Sequence, residues 1–342
     1  MKKLLFTVLA VVLMAAGAVS LAEEAASQAL PLPVKVLLLP KFEIDKMSGD
    51  FPGEAQYYYE HYLTGSDEYD VPYNSGKLYY QDGIAMCALG MGKINAALGT
   101  MAILSDARFD FSDAFIISTG CAGSGSGNTV MGDVFLITAA VDYDLGHHAD
   151  ARELSDPKGT TWFHDADFDD AAVIRLNPEL MEKVYALIKD APVETTEVTR
   201  RFMRAAFDGA DWAVRDPQVL RGTTVTGDNY WKGQYGHLNA LRMAEVYQCP
   251  DPYATTEMED VAVARTAERM GMLDRLIIIR DSVNMDVFMI GATPESLWGD
   301  AEATTLASEE SIEAVDIFVT AMKNNFNVGR IIIDQIITGQ FQ

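Results

Sequence analysis

The chain has 342 residues, 49% of them hydrophobic, and a formal net charge of −24. This length and composition can bury a large core, as one large domain or two. The negative charge repels nucleic acid and anionic membrane surfaces, so we predict no nucleic-acid partner. The three cysteines, Cys87, Cys121 and Cys249, form neither a disulfide framework nor a metal-binding spacing, and their pairing in an oxidising compartment stays open.

The N-terminus has the pattern of an export signal. Two lysines precede the apolar residues 4–17, and a small-x-small cleavage pattern ends at Ala22. We predict a signal peptide over residues 1–22, cleaved near Ala22, and an exported protein that is periplasmic or secreted. Cleavage would bring the net charge from −24 to −26. An uncleaved membrane anchor is the alternative, but the apolar run is short for a membrane span.

The rest of the chain predicts a tether and one α/β domain. We interpret residues 23–33 as the tether and residues 34–342 as the domain. Apolar runs of strand length alternate with helical segments, which indicates a largely parallel or mixed sheet. The predicted strands are residues 34–39, 78–80, 84–89, 114–117, 134–140, 223–226 and 276–279. The predicted helices are residues 92–104, 177–189, 256–270 and 308–326, and residues 142–176 form a polar excursion over the surface.

A glycine-rich segment follows the predicted strand at residues 114–117. Glycine lets backbone N–H groups approach and turn toward an anion or a polyol, so we predict a loop that lines a ligand site. No Gly-Lys-Ser/Thr follows, which excludes a nucleotide P-loop, and the next segment is a strand, which excludes the dinucleotide fingerprint. A flexible loop without a ligand is the alternative. The candidate lining residues are Thr119, Gly120, Cys121, Ala122 and Gly123.

Polar groups also stand at other predicted strand edges. These are residues 42–45, 227–231 and 280–284, with residues 257–259 at the start of a predicted helix. In open α/β sheets the ligand lies outside the carboxyl ends of the strands. We therefore expect these segments and the glycine-rich loop to converge.

Five motifs occur in chain order: GMGKINAA at residues 90–97, TGCAG at 119–123, VMGDV at 130–134, TGD at 226–228, and EME at 257–259 followed by Arg280 and Asn284. In this order they resemble the nucleoside phosphorylase and nucleosidase superfamily. Within the superfamily the chain is similar to the purine nucleoside permease family, through residues 42–43, 52–57, 144–153 and 228–233. The resemblance implies a three-layer α/β/α sandwich with a central mixed β-sheet.

The resemblance also implies a purine ribonucleoside as the ligand. Glu259 matches the carboxylate that binds the ribose hydroxyls, with Met258 under the sugar, and one carboxylate can accept two hydrogen bonds from a vicinal diol. Tyr230 and Trp231 match the wall that stacks on the base. The alternatives are a helix N-terminus that favours acidic residues and ordinary core aromatics.

Asn284 stands where the superfamily hydrogen-bonds or protonates the purine. An amide can donate and accept hydrogen bonds but is not a strong general acid. The nearby Asp281 and Asp286 could supply a proton instead, and a capping asparagine is the alternative. Asn284 is therefore a candidate for base binding and for catalysis.

Departures from the superfamily pattern disfavour phosphorolysis. Ser118 stands two residues before Gly120, where bacterial-type phosphorylases have an arginine, and Lys41 is the only basic residue of the first loop. A phosphate dianion normally needs such cations. Glu43 or Asp45 lies near the place where nucleosidases keep a carboxylate that activates water, so both are catalytic candidates for hydrolysis.

A metal site is disfavoured. His147, His148, Asp150 and His164 offer ligand groups, but their spacing fits no standard site. We predict neither a metal nor a cofactor.

Three functions follow from these patterns. The first is an exported purine-nucleoside-recognising protein that supports nucleoside uptake, with a membrane transporter as partner because an export signal alone cannot form a channel. The second is a nucleosidase that hydrolyses the N-glycosidic bond, and the third is a non-catalytic interaction protein. The resemblance also implies a homodimer, since superfamily members commonly complete their sites across a subunit interface. Whether the chain is an enzyme stays open.

Overall fold

The structure is a computed structural model that describes residues 30–74, 76–127, 129–156, 158–207, 211–298 and 312–341. The predicted signal peptide and the predicted tether up to residue 29 lie outside the described residues, and both stay predictions. The end of the tether, Leu32–Pro33, is a short strand that pairs in parallel with Phe109–Asp110. In the described part of the chain, no helix has the length and apolar character needed to span a membrane.

The described elements alternate between strands and helices for most of the chain. The strands are β1 (Leu32–Pro33), β2 (Val36–Leu39), β3 (Asp67–Asp70), β4 (Lys77–Gln81), β5 (Ile84–Cys87), β6 (Phe109–Asp110), β7 (Phe115–Ser124), β8 (Val134–Asp142), β9 (His147–His148), β10 (Trp162–Phe163), β11 (Val173–Arg175), β12 (Val219–Thr226), β13 (Tyr253–Glu257) and β14 (Leu276–Met285). The helices are α1 (Gln56–Tyr58, continued by a π-helix over Tyr59–Leu63), α2 (Lys93–Leu104), α3 (Asp169–Ala172), α4 (Pro178–Ile188), α5 (Glu197–Ala206), α6 (Gln234–Val246), α7 (Asp260–Arg269), α8 (Pro294–Trp298) and α9 (Ile312–Ile337).

One mixed sheet organises the fold. Its strand order is β11-β8-β12-β13-β7-β2-β5-β4-β3, and β14 pairs with both β7 and β8. β8 pairs with β12, β12 with β13, and β13 with β7. Because β14 pairs with both β7 and β8, it closes these strands into a ring. β7 runs parallel to β2 and β14 but antiparallel to β13, so the sheet is mixed.

Helices cover both faces of the sheet. Arg280 and Asp281 are neighbours on β14, so their side chains point to opposite faces. Arg280 donates to Asp260 at the start of α7, whereas Asp281 accepts a hydrogen bond from Asn325 of α9. α7 and α9 therefore lie on opposite sides, which confirms the predicted three-layer architecture. β2 is buried along its whole length, as expected for a strand covered on both faces.

The prediction of a glycine-rich loop is wrong. β7 extends to Ser124, so the segment pairs with β14 instead of turning away from it. Gly120 lets the backbone of β7 lie close to the carboxylate of Glu54, because a Cβ at this position would overlap that carboxylate. The glycine does not form a turn. Gly120 also has a φ of +150°, which other residues rarely adopt. The residues predicted as loop and found in the strand are Thr119, Gly120, Cys121, Ala122 and Gly123.

The predicted helix at residues 256–270 also begins later than expected. β13 continues to Glu257, and α7 begins at Asp260. The β-branched residues Thr255 and Thr256 favour the extended strand. Residues 257–259 therefore lie at a strand–helix junction.

The polar excursion predicted at residues 142–176 is attached to the domain. Asn239 of α6 is buried, and its side-chain oxygen accepts hydrogen bonds from the backbone N–H groups of Thr161 and Trp162. Val173–Arg175, near the end of the excursion, pairs with β8 as an edge strand of the main sheet.

Candidate functional site

A buried arginine lies at the centre of the converging segments. Arg280 of β14 is 1% exposed and donates hydrogen bonds to Asp260 at 2.7 and 2.8 Å. It also donates to Glu257 at 3.1 Å, to Glu259 at 3.3 Å and to the carbonyl oxygen of Cys121 at 2.9 Å. A planar guanidinium with five N–H donors suits such a set of acceptors. Arg280 thereby connects β14, β7 and the β13–α7 junction.

Glu257 fixes this junction. Its Oε2 accepts hydrogen bonds from the backbone N–H groups of Glu259 and Asp260 at 2.6 and 2.7 Å. Its Oε1 accepts from the hydroxyl of Thr224 at 3.1 Å and from that of Thr226. The carboxylate thus satisfies N–H groups at the start of α7, where negative charge is favoured. The helix-N-terminus interpretation therefore holds for Glu257.

Glu259 has a different environment. Its side chain makes no capping hydrogen bond to α7. Its Oε1 accepts from the backbone N–H of Gly92 at 3.0 Å, and its Oε2 faces Arg280 at 3.3 Å. Because an ionised carboxylate can accept about four hydrogen bonds, both oxygens retain capacity. Glu259 is therefore oriented by the protein and able to accept hydrogen bonds from a ligand, and the half-buried Met258 lies next to it at the junction.

The buried carboxyl groups of this cluster differ in proton affinity. Burial, together with the neighbouring Asp260, raises the pKa of Glu257 from 4.5 to about 7. For Asp260, burial favours the neutral form, but Arg280 and Lys41 outweigh it and hold the pKa of this carboxyl below its usual range. The proton of Glu257 fits on Oε1, because the threonine hydroxyls there can accept a hydrogen bond, whereas Oε2 faces N–H donors.

Stability is expected to fall as the pH rises through the pKa of Glu257. The native state holds a proton on Glu257 between pH 4.5 and about pH 7, where the unfolded chain has lost it. Its stabilising contribution is thus fully present below pH 4.5 and lost as the pH rises through about 7. Thermal unfolding across this window measures the decline. The Glu257→Gln variant should show a flatter pH dependence, and an unchanged slope in that variant would assign the effect to other groups.

The cation of the first loop is fully engaged inside the protein. Lys41 is 1% exposed, and its Nζ donates to the carbonyl oxygens of Leu39 at 2.7 Å and Thr119 at 3.2 Å and to Ser118 Oγ at 2.8 Å. Ser118 in turn donates to Asp260 at 2.7 Å. An ammonium has three donors, and all three are used. Ser118 is thus a partner of buried charges.

Glu43 and Asp45 occupy different settings. Glu43 accepts hydrogen bonds from the backbone N–H groups of Ile44 at 2.8 Å, Ala55 at 3.0 Å, Gln56 at 2.6 Å, and Gly53. It thereby holds residues 53–56 against the first loop. Asp45 is exposed and has a φ of +56°. Neither makes a hydrogen bond to the Arg280 cluster within the described residues, and their catalytic roles stay predictions.

Sequence reasoning did not single out Glu54, which does contact the cluster. Its carboxylate accepts hydrogen bonds from the backbone N–H groups of Lys41 at 2.6 Å and Cys121 at 2.9 Å. It is 6% exposed. The sequence signal for Glu54 was its position at residues 52–57, a segment that resembles the family but assigns no role to this glutamate.

The base-binding candidates also lie together. Asn284 donates from Nδ2 to the hydroxyl of Tyr230 at 2.8 Å, and Tyr230 is 58% exposed. Trp231 stacks on Tyr143, with ring centroids 5.2 Å apart and an interplanar angle of 19°. A Cβ added to Gly236 would overlap the ring of Trp231. Tyr230 is therefore an exposed aromatic residue, whereas Trp231 packs between protein groups, as the core-aromatic alternative expects.

The two aspartates considered as proton donors have different partners. Asp281 points toward α9, where it accepts from Asn325 at 2.8 Å. Asp286 accepts from the hydroxyl of Tyr253 at 2.8 Å and from the N–H of Ser126 at 3.1 Å, and it pairs with His237 at 2.7 Å. Asp286 lies just beyond the end of β14, and a register shift between Ser282 and Asn284 separates Asp281 from Asn284 along the strand.

The histidines of the excursion pair with single acceptors. His147 Nε2 lies 2.9 Å from Asp165, His164 Nε2 lies 2.6 Å from Asp169, and His148 Nε2 lies 2.7 Å from the carbonyl oxygen of Tyr143. The described residues contain no group of three or more His, Cys, Asp or Glu side chains placed to hold a metal ion. Asp150, the fourth candidate ligand, pairs with Arg152.

Comparison with known families assigns the chain. The model of the family described as purine nucleoside permease (NUP) matches residues 33–341. The chain belongs to the purine nucleoside permease family. A probable purine nucleoside permease of Schizosaccharomyces pombe is 28% identical over 229 residues, which span 60% of this chain and 65% of that relative. This family member thus aligns with less than two thirds of that relative's length.

Solved structures share the fold of this permease-family chain. The 5′-methylthioadenosine/S-adenosylhomocysteine nucleosidase of Neisseria meningitidis is 18% identical with a TM-score of 0.52, over 88% of this chain and 99% of that one. The corresponding nucleosidase of Helicobacter pylori is 13% identical with a TM-score of 0.54, over 89% and 99% of the two chains. At these identities the likeness shows a nucleoside phosphorylase-like fold.

Proposed function

We propose that the protein binds purine ribonucleosides at the cluster formed by Glu259, Arg280 and Asn284. The orientation of Glu259 carries this proposal. Its carboxylate is held by the N–H of Gly92 and by Arg280, yet it retains acceptor capacity for the two hydroxyls of a ribose. Tyr230, which is 58% exposed and accepts a hydrogen bond from Asn284, is the proposed stacking surface for the base.

The comparisons support the same ligand class. The family is named for purine nucleosides, and the nucleosidase of Neisseria meningitidis was solved with methylthio-immucillin-A. The fold is shared, and the residues that match the superfamily motifs lie together in this chain.

Titration calorimetry with inosine, adenosine and guanosine tests the proposal on the mature protein. We expect saturable binding of at least one purine nucleoside and no binding of free ribose or of a pyrimidine nucleoside at the same concentration. Absence of heat with all three purine nucleosides, in protein shown to be folded by circular dichroism, would refute nucleoside binding.

The second candidate is hydrolysis of the N-glycosidic bond. It is supported by the engagement of Lys41 and Ser118 with internal partners, which leaves neither free to hold a phosphate dianion. Asn284 would hold the departing purine, and Glu43 or Asp45 would have to move to position a water. Release of free base without phosphate supports hydrolysis. Release only with phosphate would overturn it, and binding without release leaves the function as recognition.

The protein is further proposed to act outside the cytoplasm and to pass its nucleoside to a membrane transporter. The lysines and apolar run of residues 2–17 and the cleavage pattern ending at Ala22 support export. Mass spectrometry of protein from the native host would give the mature N-terminus. A chain that retains residues 1–22 in the cytoplasmic fraction would refute this location.

A homodimer is expected through the exposed side of α2. Ile94, Leu98 and Met101 are 72%, 54% and 40% exposed along one stripe of the helix, and Met91, just before the helix, is 63% exposed. Isolated apolar side chains are normal on a surface, but a continuous stripe of this kind indicates an interface. Because Gly92 contacts Glu259, a second copy on this stripe would border the nucleoside site.

Sedimentation velocity on the Leu98→Glu variant tests the dimer. We expect the native chain to sediment as a dimer and the variant as a folded monomer, since a buried, unpaired carboxylate opposes association. Val315→Glu on α9 also charges an exposed apolar position, 38% exposed, and should leave the dimer intact. A native chain that sediments as a monomer would contradict the interface.

A further inference from the structure

The carboxylate of Glu54 lies in a site built for an oxyanion. Two backbone N–H groups point at it, from Lys41 just after β2 at 2.6 Å and from Cys121 within β7 at 2.9 Å. Each donates to a different oxygen of the carboxylate. The backbone of Gly120 lies so close that a Cβ there would overlap the carboxyl group. Convergent backbone N–H groups beside a glycine are a common way to bind anions.

Two buried cations complete this site. Burial raises the pKa of Glu54 above its usual value, and the positive charges of Arg280 and Lys41 oppose this rise. Both are about 1% exposed, so their fields are poorly screened. The donors of Lys41 are used elsewhere, and Arg280 reaches the carbonyl oxygen of Cys121 rather than Glu54 itself. The cations therefore act on Glu54 through charge, and the backbone N–H groups supply the hydrogen bonds.

We propose that Glu54 is a built-in substitute for a bound oxyanion and closes this site to free anions. The sequence suggested an anion cradle at Gly120, and the structure places the chain's own carboxylate against that glycine. A tethered carboxylate has a high effective concentration, so a free carboxylate or phosphate cannot compete with it. Without Glu54, the same N–H groups and cations would bind a small oxyanion from solution.

The Glu54 site is connected to the proposed nucleoside site through Arg280 and Cys121. Arg280 contacts Glu259 through Nη2 and the carbonyl oxygen of Cys121 through Nη1, and the N–H of Cys121 holds Glu54. The filled oxyanion site thus adjoins the proposed ribose carboxylate, and Glu54 keeps inorganic phosphate out of it. This consequence rests on the proposed function, whereas the anion site itself does not.

Oxyanion binding by the Glu54→Gly variant of the mature chain tests the inference. Thermal unfolding is followed in sodium acetate, sodium phosphate and sodium chloride at equal ionic strength. We expect acetate to raise the midpoint of the variant by about 3 °C or more over chloride, because a ligand that binds only the native state stabilises it. The native protein, measured in the same three salts, gives the general effect of each salt, because phosphate stabilises folded proteins by exclusion from their surface. A response to phosphate as well would show that the site admits tetrahedral anions, and a response to acetate alone would restrict it to carboxylates.

Two control variants separate this site from a general salt effect. Glu54→Gln fills the same space and should show no response selective for acetate. Glu43→Gly also removes a carboxylate that accepts backbone N–H groups, but no cation is among the causes that shift the pKa of Glu43, so no selective response is expected. Equal midpoints of folded Glu54→Gly in acetate, phosphate and chloride would overturn the inference. If that variant does not fold in chloride, refolding yields replace midpoints, and equal yields in the three salts overturn it.

Nucleoside calorimetry on the same samples keeps the two proposals distinguishable. A selective acetate response in Glu54→Gly stands even if the native protein binds no nucleoside. Nucleoside binding by the native protein likewise stands if acetate and phosphate do not selectively raise the unfolding midpoint of the variant.

Discussion

Replacement of Arg280 by methionine is expected to lower the free energy of unfolding by about 3–5 kcal/mol, a large share of the stability of a typical domain. The substitution would leave Glu257, Glu259 and Asp260 buried side by side without the guanidinium that contacts all three. Lys41, 3.9 Å from Asp260, would be the remaining cation of the cluster. Denaturant titration followed by circular dichroism measures the loss.

Three further variants test the cause. Arg280→Lys keeps the charge but not the fork of donors, so its loss of stability should be intermediate. Arg242→Met removes an exposed arginine that pairs with Glu245 at 3.0 Å and should cost less than about 1 kcal/mol. Glu257→Gln added to Arg280→Met should recover part of the stability, since it removes one uncompensated carboxylate. An Arg280→Met chain as stable as the native one would show that the ion cluster makes no net contribution.

Local sequence patterns were sufficient for much of the fold. The apolar runs at residues 34–39 and 276–279 predicted buried strands because a strand covered on both faces has no polar side. Asp82 and Gly83, between the predicted strands 78–80 and 84–89, are residues that favour a hairpin turn, and both adopt the positive φ that the tight turn requires. In these elements the local preference and the tertiary structure agree.

Other elements depended on partners distant in the chain. The glycines and serines after residue 117 favour a turn locally, but pairing with β14 extends β7 through them. Glu54 gave no functional signal because its partners, Lys41 and Cys121, are 13 and 67 residues away. A network of this kind is visible only after the strands are in place.

The site residues show the same division. The motif EME at residues 257–259 predicted a carboxylate at the sugar, but a helix N-terminus would accept either glutamate. The longer β13 and the later start of α7 separate their roles, because Glu257 reaches the first N–H groups of α7 and Glu259 turns toward Gly92. The sequence could not show which glutamate caps the helix, because that depends on where β13 ends and α7 begins, and sequence patterns define such boundaries poorly.

Replacement of Glu259 by alanine is expected to weaken ribonucleoside binding by about 100-fold or more. Hydrogen bonds to a charged carboxylate contribute about 1.5–3 kcal/mol each, and a ribose would lose two of them. Calorimetry with the nucleoside that the native protein binds best measures the change. Glu259→Gln should bind the nucleoside nearly as weakly as Glu259→Ala. An amide has one acceptor oxygen, and its NH₂ group would face the donors of Arg280 or Gly92.

Comparison of a ribonucleoside with its 2′-deoxy analogue separates direct contact from general damage. If Glu259 accepts from both hydroxyls, the native protein should bind the ribonucleoside about tenfold or more tightly than the analogue, and Glu259→Ala should bind the two alike. Glu268→Ala, on the exposed side of α7, should preserve the native preference. If Glu259→Ala keeps that preference, Glu259 does not contact the sugar, and the role of the carboxylate is limited to holding Arg280 and the N-terminus of α2.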